Sequence, residues 1–203
     1  MLHYETVEPH TLELLKDLMC KDYLQQFVLV GGTALALQLG HRKSIDLDLF
    51  TVSDFRSDEL NAELTGEYAI QVVTQMPQTL ICQINQIKVD FIRFKYPYIR
   101  ELIQVDGIRM AAMEDIAAMK LDAITGRGSK KDFYDLYALL AHYDLPMLLD
   151  FYQAKYAHQT TFHVLRSIAY FADAEHDPDP IVLDRSTTWV MVKKRIEQAI
   201  QKL

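Results

Sequence analysis

Apolar residues at Leu12, Leu15, Leu18 and Met19 recur at helical spacing between Thr11 and Tyr23, so the chain is expected to open on an amphipathic helix. The pattern then changes. Phe27-Val28-Leu29-Val30 is a short apolar, β-branched run, which reads as a buried strand. Gly31-Gly32 follows, and a helix is expected from Gly32 or Thr33 to about Leu39, ended by Gly40. A second run, Ile45-Asp46-Leu47-Asp48-Leu49-Phe50, alternates apolar and acidic positions. Residues i and i+2 of a strand share a face, so Asp46 and Asp48 project together while Ile45, Leu47 and Leu49 are expected in the core. Residues 57–64 read as a short helix. Residues 67–75, 79–84 and 86–94 read as successive strands, with Pro77 and Asn85-Gln86 at the turns. After Pro97 the pattern is helical over 113–125, 130–143, 147–157, 160–173 and 187–202, with Asp177-Pro178-Asp179-Pro180 between the last two. This order predicts an α/β part over 1–108 and a helical part over 109–203, packed so that a cleft lies between them.

Composition narrows the class. With 203 residues, 50% of them hydrophobic, the chain has the material for one large domain or a domain with a small appendage. The net charge of −7 argues against a generic nucleic-acid coat, although a local basic groove remains compatible with it. Cys20 and Cys82 have no metal-ligand spacing and are expected to be buried, reduced thiols. The N-terminus lacks the basic region and apolar stretch of a signal peptide, and no apolar run has the length of a membrane span. The expectation is a cytoplasmic protein with no membrane partner.

Two clusters carry candidate chemistry. In the first, free N–H groups at a helix start after Gly31-Gly32 favour an anion such as a phosphate. Alone, a Gly-Gly is more often explained by tight packing. It gains meaning from Asp46 and Asp48 on the next strand. Two carboxylates 4 Å apart repel by about 4 kcal/mol at an effective dielectric near 20. A half-buried strand therefore calls for a cation or a basic partner there, the alternative being an acidic strand edge that blunts aggregation. All-oxygen ligation suits Mg²⁺ or Mn²⁺, which leave positions open for substrate phosphates. Asp90, alone among the acids of Ile87–Phe94, is open to a salt bridge with Lys88 or Arg93, an edge position, or a third metal-ligand role.

The second cluster surrounds a helix break. Lys120, Ile124 and Arg127 share one helical face, and Lys120 sits between Met119 and Leu121. It could snorkel to solvent, or it could face the acidic strand and neutralise phosphate charge. Asp132 opens the next helix and could serve its dipole or orient Lys120 or Arg127. Asp135, one turn on, reads as structural. Lys130 and Lys131 could steer RNA or flank a solvated loop.

Together the two blocks resemble the AbiEii/AbiGii toxin-type nucleotidyltransferases of the DNA polymerase β-like nucleotidyltransferase superfamily. The matching residues are Gly31-Gly32-Thr33 through Arg42, Ser44, Asp46 and Asp48, then Lys120-Leu121-x-Ala123-Ile124-x-x-Arg127 and Lys131-Asp132-x-x-Asp135-Leu136. The resemblance implies an α+β fold, a nucleotidyltransferase-like mixed β-sheet with flanking helices followed by a C-terminal helical region. It implies a divalent-metal enzyme that moves a nucleoside monophosphate from an NTP to an acceptor hydroxyl. Asp46, Asp48 and Asp90 would be catalytic metal ligands, with Lys120 and Asp132 as further catalytic groups. Gly31, Gly32, Thr33, Arg42, Ser44, Lys120 and Arg127 would hold the nucleotide. The expected acceptor is the 3′ end of a tRNA, gripped by Arg42, Lys43, Arg127, Lys130 and Lys131, and the expected partner is an antitoxin. The rival readings are modification of a partner protein and a catalytically idle nucleotide-binding module.

Overall fold

Val28, Leu29 and Val30 are all buried, the mark of a strand covered on both faces, and they lie inside a seven-stranded mixed sheet. The computed structural model describes residues 1–203. The strands are β1 (Val28–Val30), β2 (Leu47–Thr51), β3 (Ile70–Met76), β4 (Thr79–Ile84), β5 (Ile87–Arg93), β6 (Ile103–Val105) and β7 (Ile108–Met110), in the order β3-β4-β5-β2-β1-β7-β6. The pairs β1–β7 and β2–β5 are parallel, and the other pairs are antiparallel. The helices are α1 (Pro9–Cys20), α2 (Gly31–Leu39), α3 (Ser57–Glu67), α4 (Met113–Gly126), α5 (Lys130–Leu139), α6 (Leu145–Lys155), α7 (Thr161–Ile168) and α8 (Trp189–Ile200). The architecture is the expected α+β mixed sheet with flanking helices and a C-terminal helical region. No helix is long and apolar enough to cross a membrane.

Several expectations need correction. The segment after Pro97 is not wholly helical, because β6 and β7 form a hairpin. Its turn is Asp106-Gly107, both at positive φ (51° and 80°), the conformation that Asp-Gly favours in a two-residue hairpin loop. That dipeptide was the available signal. The expected division at 108/109 therefore cuts β7, and the later helices begin at Met113. One buried cluster runs from Val7 to Ile196 across both parts. Ile45 is 63% exposed rather than in the core, because β2 starts only at Leu47. Cys20 is exposed at the end of α1, outside its Leu15-Leu18-Met19 stripe. Cys82 is buried in β4, and burial pushes its thiol up to about 12.

Helix α4 packs against α2, α5, α6 and α7. That explains why its buried set is spread around the helix and includes two ionisable groups, Asp115 and Lys120. Asp115 pairs with Lys155 of α6 at 2.7 Å, both side chains being fully buried. Lys155 also donates to the Pro97 carbonyl at 3.0 Å, and Asp115 accepts from the backbone N–H groups of Ile99 and Arg100. This clamp fixes the 94–100 connection against the helical part.

Candidate active site

The alternation of β2 buries Leu47 and Leu49 on one face and turns Asp48 and Phe50 to the other. On β5 the same alternation buries Val89 and Phe91. The parallel register then sets Asp48 directly beside Asp90. Paired residues of adjacent strands point to the same face, so the two carboxylates share one side of the sheet. Asp46 lies just before β2 and joins them in the same cleft. Burial raises the Asp48 carboxyl above its ordinary value, Asp90 and Asp46 add to the rise, and Lys120 and Lys88 oppose it.

The glycine turn faces these acids. Gly31 has φ +69°, and a Cβ built on it would run into the Asp48 carboxylate. A Cβ on Gly32 would meet the Arg42 guanidinium. The opening N–H groups of α2 have no intrahelical acceptors, so the backbone can approach a phosphate beside Asp48. Thr33 is placed differently from expectation. Its hydroxyl is buried, donates to the Asp46 carbonyl and lies 2.9 Å from Ser44 Oγ, whose own hydroxyl can donate to it. That side chain holds the loop in place and leaves only the Thr33 backbone N–H for an anion. We expect Gly31→Ala to lose about 1–3 kcal/mol of stability from the left-handed backbone alone. It should also displace Asp48, so activity should fall by more than a chemical melt of the variant accounts for.

A buried ionic network supports the opposite wall. Lys120 is 4% exposed, and its ammonium reaches Asp132 Oδ1 (2.9 Å) and Asp135 Oδ2 (2.6 Å). Arg42 donates two bonds to Asp135, at 2.6 and 2.9 Å. His41 Nε2 lies 2.7 Å from the same carboxylate. Arg127 donates to Asp132 at 2.8 and 2.9 Å while more than half its side chain is exposed. So Asp132 does orient both Lys120 and Arg127. Asp135 is a hub shared by three basic groups, a larger part than its spacing alone suggested. Burial would raise both acids, but Arg42 and Lys120 hold Asp135 well below the usual carboxylate range, and Lys120 and Arg127 hold Asp132 below it.

The loop 41–45 that carries Arg42 and Ser44 is tied from two sides. Ser44 N–H donates to Thr6 O at 2.9 Å, and Lys43 N–H donates to Ile181 O at 2.7 Å. Lys130 is not a free cation. It is 6% exposed and donates to the Asp177 carbonyl at 2.6 Å, pinning the 177–180 loop. Of the five expected RNA-gripping cations, Arg42 and Lys130 are buried and committed internally, whereas Lys43, Arg127 and Lys131 keep exposed surface at the rim, Arg127 while paired with Asp132 and Lys131 3.7 Å from Asp46.

These elements enclose a cleft of ≈ 240 Å³ lined by Gly31, Gly32, Arg42, Ser44, Asp46, Asp48, Asp90, Lys120 and Arg127, with Phe50, Phe94 and Tyr156 among its apolar walls. No three acidic, histidine or cysteine side chains converge tightly enough to form a ready metal cluster. Lys88 holds Asp90 Oδ2 at 2.7 Å, and Lys131 lies 3.7 Å from Asp46. The donor chemistry still fits a hard divalent cation. All three groups are carboxylates, Asp48 has no ion-pair partner, and Asp90 Oδ1 is buried without a hydrogen bond.

The family model "Nucleotidyl transferase AbiEii toxin, Type IV TA system" matches residues 13–202. An uncharacterized protein of Aquifex aeolicus (strain VF5) is 32% identical over 196 residues, covering 94% of each chain. The fold is similar to that of MenT4, a nucleotidyltransferase toxin from Mycobacterium tuberculosis H37Rv. That match has a TM-score of 0.59 at 18% identity, over 95% of this chain and 83% of that one. It is also similar to JHP933 from Helicobacter pylori, with a TM-score of 0.53 at 20% identity, over 97% of this chain and 94% of that one.

Proposed function

Because the chain belongs to the AbiEii nucleotidyltransferase toxin family and is a nucleotidyltransferase, we propose that it transfers a nucleoside monophosphate from an NTP to an acceptor hydroxyl at the Asp46–Asp48–Asp90 cleft. The observation that carries this reading is the register pair Asp48–Asp90, placed against the Gly31-Gly32 turn and facing Lys120 and Arg127. Carboxylates for a cation, backbone N–H groups for phosphate and fixed positive charge all meet in one cleft.

Asp46, Asp48 and Asp90 would hold Mg²⁺ or Mn²⁺, which when bound supplies charge neutralisation at the phosphates. The start of α2 binds and orients the triphosphate. Lys120 and Arg127, held by Asp132 and Asp135, present positive charge that favours departure of pyrophosphate. Asp90, whose Oδ1 has no hydrogen bond, would assist deprotonation of the attacking hydroxyl. Fixing this geometry in advance supplies much of the rate.

For the acceptor we propose the 3′ end of a tRNA, with Lys43, Arg127 and Lys131 as its phosphate contacts, and for the partner an antitoxin that neutralises the enzyme. We place this activity in the cytoplasm. The test is incubation with each α-³²P-labelled NTP, total RNA and total protein, in the presence of Mg²⁺ or Mn²⁺. Label is expected on RNA of tRNA size, and transfer should fall steeply with salt because phosphate contacts release counterions. Label on protein alone, with tRNA intact, would replace the RNA acceptor by a partner protein. No label from any NTP would refute the transferase reading itself.

A further inference from the structure

We infer that Lys88 is a resident counter-ion of the carboxylate cleft: its ammonium holds the cleft-facing oxygen of Asp90, competes there with a divalent cation, and so sets how weakly that cation binds. This inference rests on the transferase reading for the identity of the cation as Mg²⁺ or Mn²⁺.

The strand dictates where Lys88 stands. Lys88 and Asp90 are i and i+2 on β5, so both side chains leave the same face of the sheet. The register pairs Leu47 with Val89 and Asp48 with Asp90. Carried one residue upstream, it sets Lys88 level with Asp46. Lys88 lines the cleft together with all three carboxylates. Its Nζ donates to Asp90 Oδ2 at 2.7 Å. Partial burial would lower the Lys88 ammonium, but Asp90, Asp46 and Asp48 raise it, so it carries a full positive charge there.

An ammonium bound to a ligand carboxylate acts in one of two ways. It orients the group when it holds the oxygen turned away from the metal. It competes when it holds the oxygen that the metal needs. The two oxygens of Asp90 separate these cases. Oδ1 is buried and has no hydrogen-bond partner. Of the pair, Oδ2 is therefore the oxygen that a solute from the cleft reaches first, and Lys88 is on it. The freedom of each cation points the same way. The Lys88 side chain is 46% exposed, so it can swing into water at little cost. Lys120 is 5% exposed and held by two buried carboxylates, so it stays in place.

Carboxylates gathered in one cleft repel unless positive charge stands among them. Lys88 supplies one such charge in the metal-free protein, directly on Asp90. Lys131 adds a second from the opposite rim, but at 3.7 Å from Asp46 it is beyond hydrogen-bonding distance. Asp48 has neither. A divalent cation brings two charges at once and releases the exposed lysine, which then stands free on the cleft wall. Neutralising position 88 removes this competitor and makes the cleft more negative, so both effects tighten cation binding.

The test measures Mn²⁺ binding to the full chain without nucleotide, by titration calorimetry and by the EPR signal of free Mn²⁺. The proteins are the parent, Lys88→Met, Lys88→Gln and Lys88→Arg. Met and Gln both remove the charge, and Gln keeps a donor for Asp90. Both should bind Mn²⁺ about three- to tenfold tighter than the parent, the effect of one partly exposed charge at this distance. Lys88→Arg keeps the charge and should bind no tighter than the parent. Melting in EDTA gives a second readout. The two neutral variants should melt below the parent, because Asp90 loses its ion pair, and added Mn²⁺ should raise their Tm by more than it raises the parent's. Weaker Mn²⁺ binding in Lys88→Met and Lys88→Gln overturns the inference, since it marks an orienting lysine. So do unchanged binding in both, tighter binding in Lys88→Arg, or no Mn²⁺ binding by any of the four proteins. Tighter binding in the neutral variants, with no label transferred from any NTP, would overturn the transferase reading and leave the counter-ion standing.

Discussion

Asp48→Asn is expected to lower NTP-dependent transfer by about 10²–10³-fold or more, the range seen when one preorganised charge-stabilising group is lost. The fold should survive intact. Asp48 is placed between Asp90 in register and Asp46 upstream, and burial together with these neighbours disfavours its charged form. Replacing it by a neutral isostere removes that unfavourable term, so the melting temperature should stay level or rise. The combination of lost activity and retained stability separates a reacting-site acid from a structural one. Transfer near the parent level, at equal NTP and Mg²⁺ concentrations, would remove Asp48 from the mechanism.

Asp135→Ala should show the opposite pattern, a stability loss larger than any specific loss of chemistry. Asp135 has no exposed side-chain surface and accepts from His41, Arg42 and Lys120. Deleting it leaves Arg42 buried without its bidentate partner and Lys120 with Asp132 alone. Removing one member of a buried charge network costs roughly 3–5 kcal/mol. For a chain of this size that corresponds to roughly 6–20 °C in Tm, at about 2–4 °C per kcal/mol. The pH dependence supplies a second readout. The folded-state pKa of Asp135 is depressed, so its contribution is fully present above the ordinary carboxylate value of 3.8 and is lost as pH falls toward the lower folded value. Asp132 acts in the same direction. Urea unfolding of the parent should therefore show stability falling steeply below about pH 4, and that slope should be shallower in Asp135→Ala. A variant that melts within a degree or two of the parent, with an unchanged acid slope, would show that the network is not holding Arg42 and Lys120.

The unit from β1 through α2 to β2 was legible in the sequence because every signal in it is local. Three buried residues make a strand, a glycine pair makes the turn, and alternation turns Asp48 to the face opposite Leu47 and Leu49. The same holds for the buried face of β5 and for the break between α4 and α5. Periodicity states which face of an element a residue occupies, but not what stands opposite it. The pairing of Asp48 with Asp90 needs the parallel register of two strands remote in sequence. Asp135 looked merely structural because its partners, His41 and Arg42, come from a loop more than ninety residues away. Lys130 looked free because the loop that binds it follows two further helices. Thr33 looked like a phosphate ligand until the fold brought Ser44 and the Asp46 carbonyl against its hydroxyl. The sequence by itself determined the strand-turn-helix unit and the kinds of groups available for chemistry, since short-range sterics and alternation decide both. Only the tertiary structure decided which of those charges are neutralised inside the protein and which still face the cleft, because pairing energies depend on distances that the chain sets after it has folded.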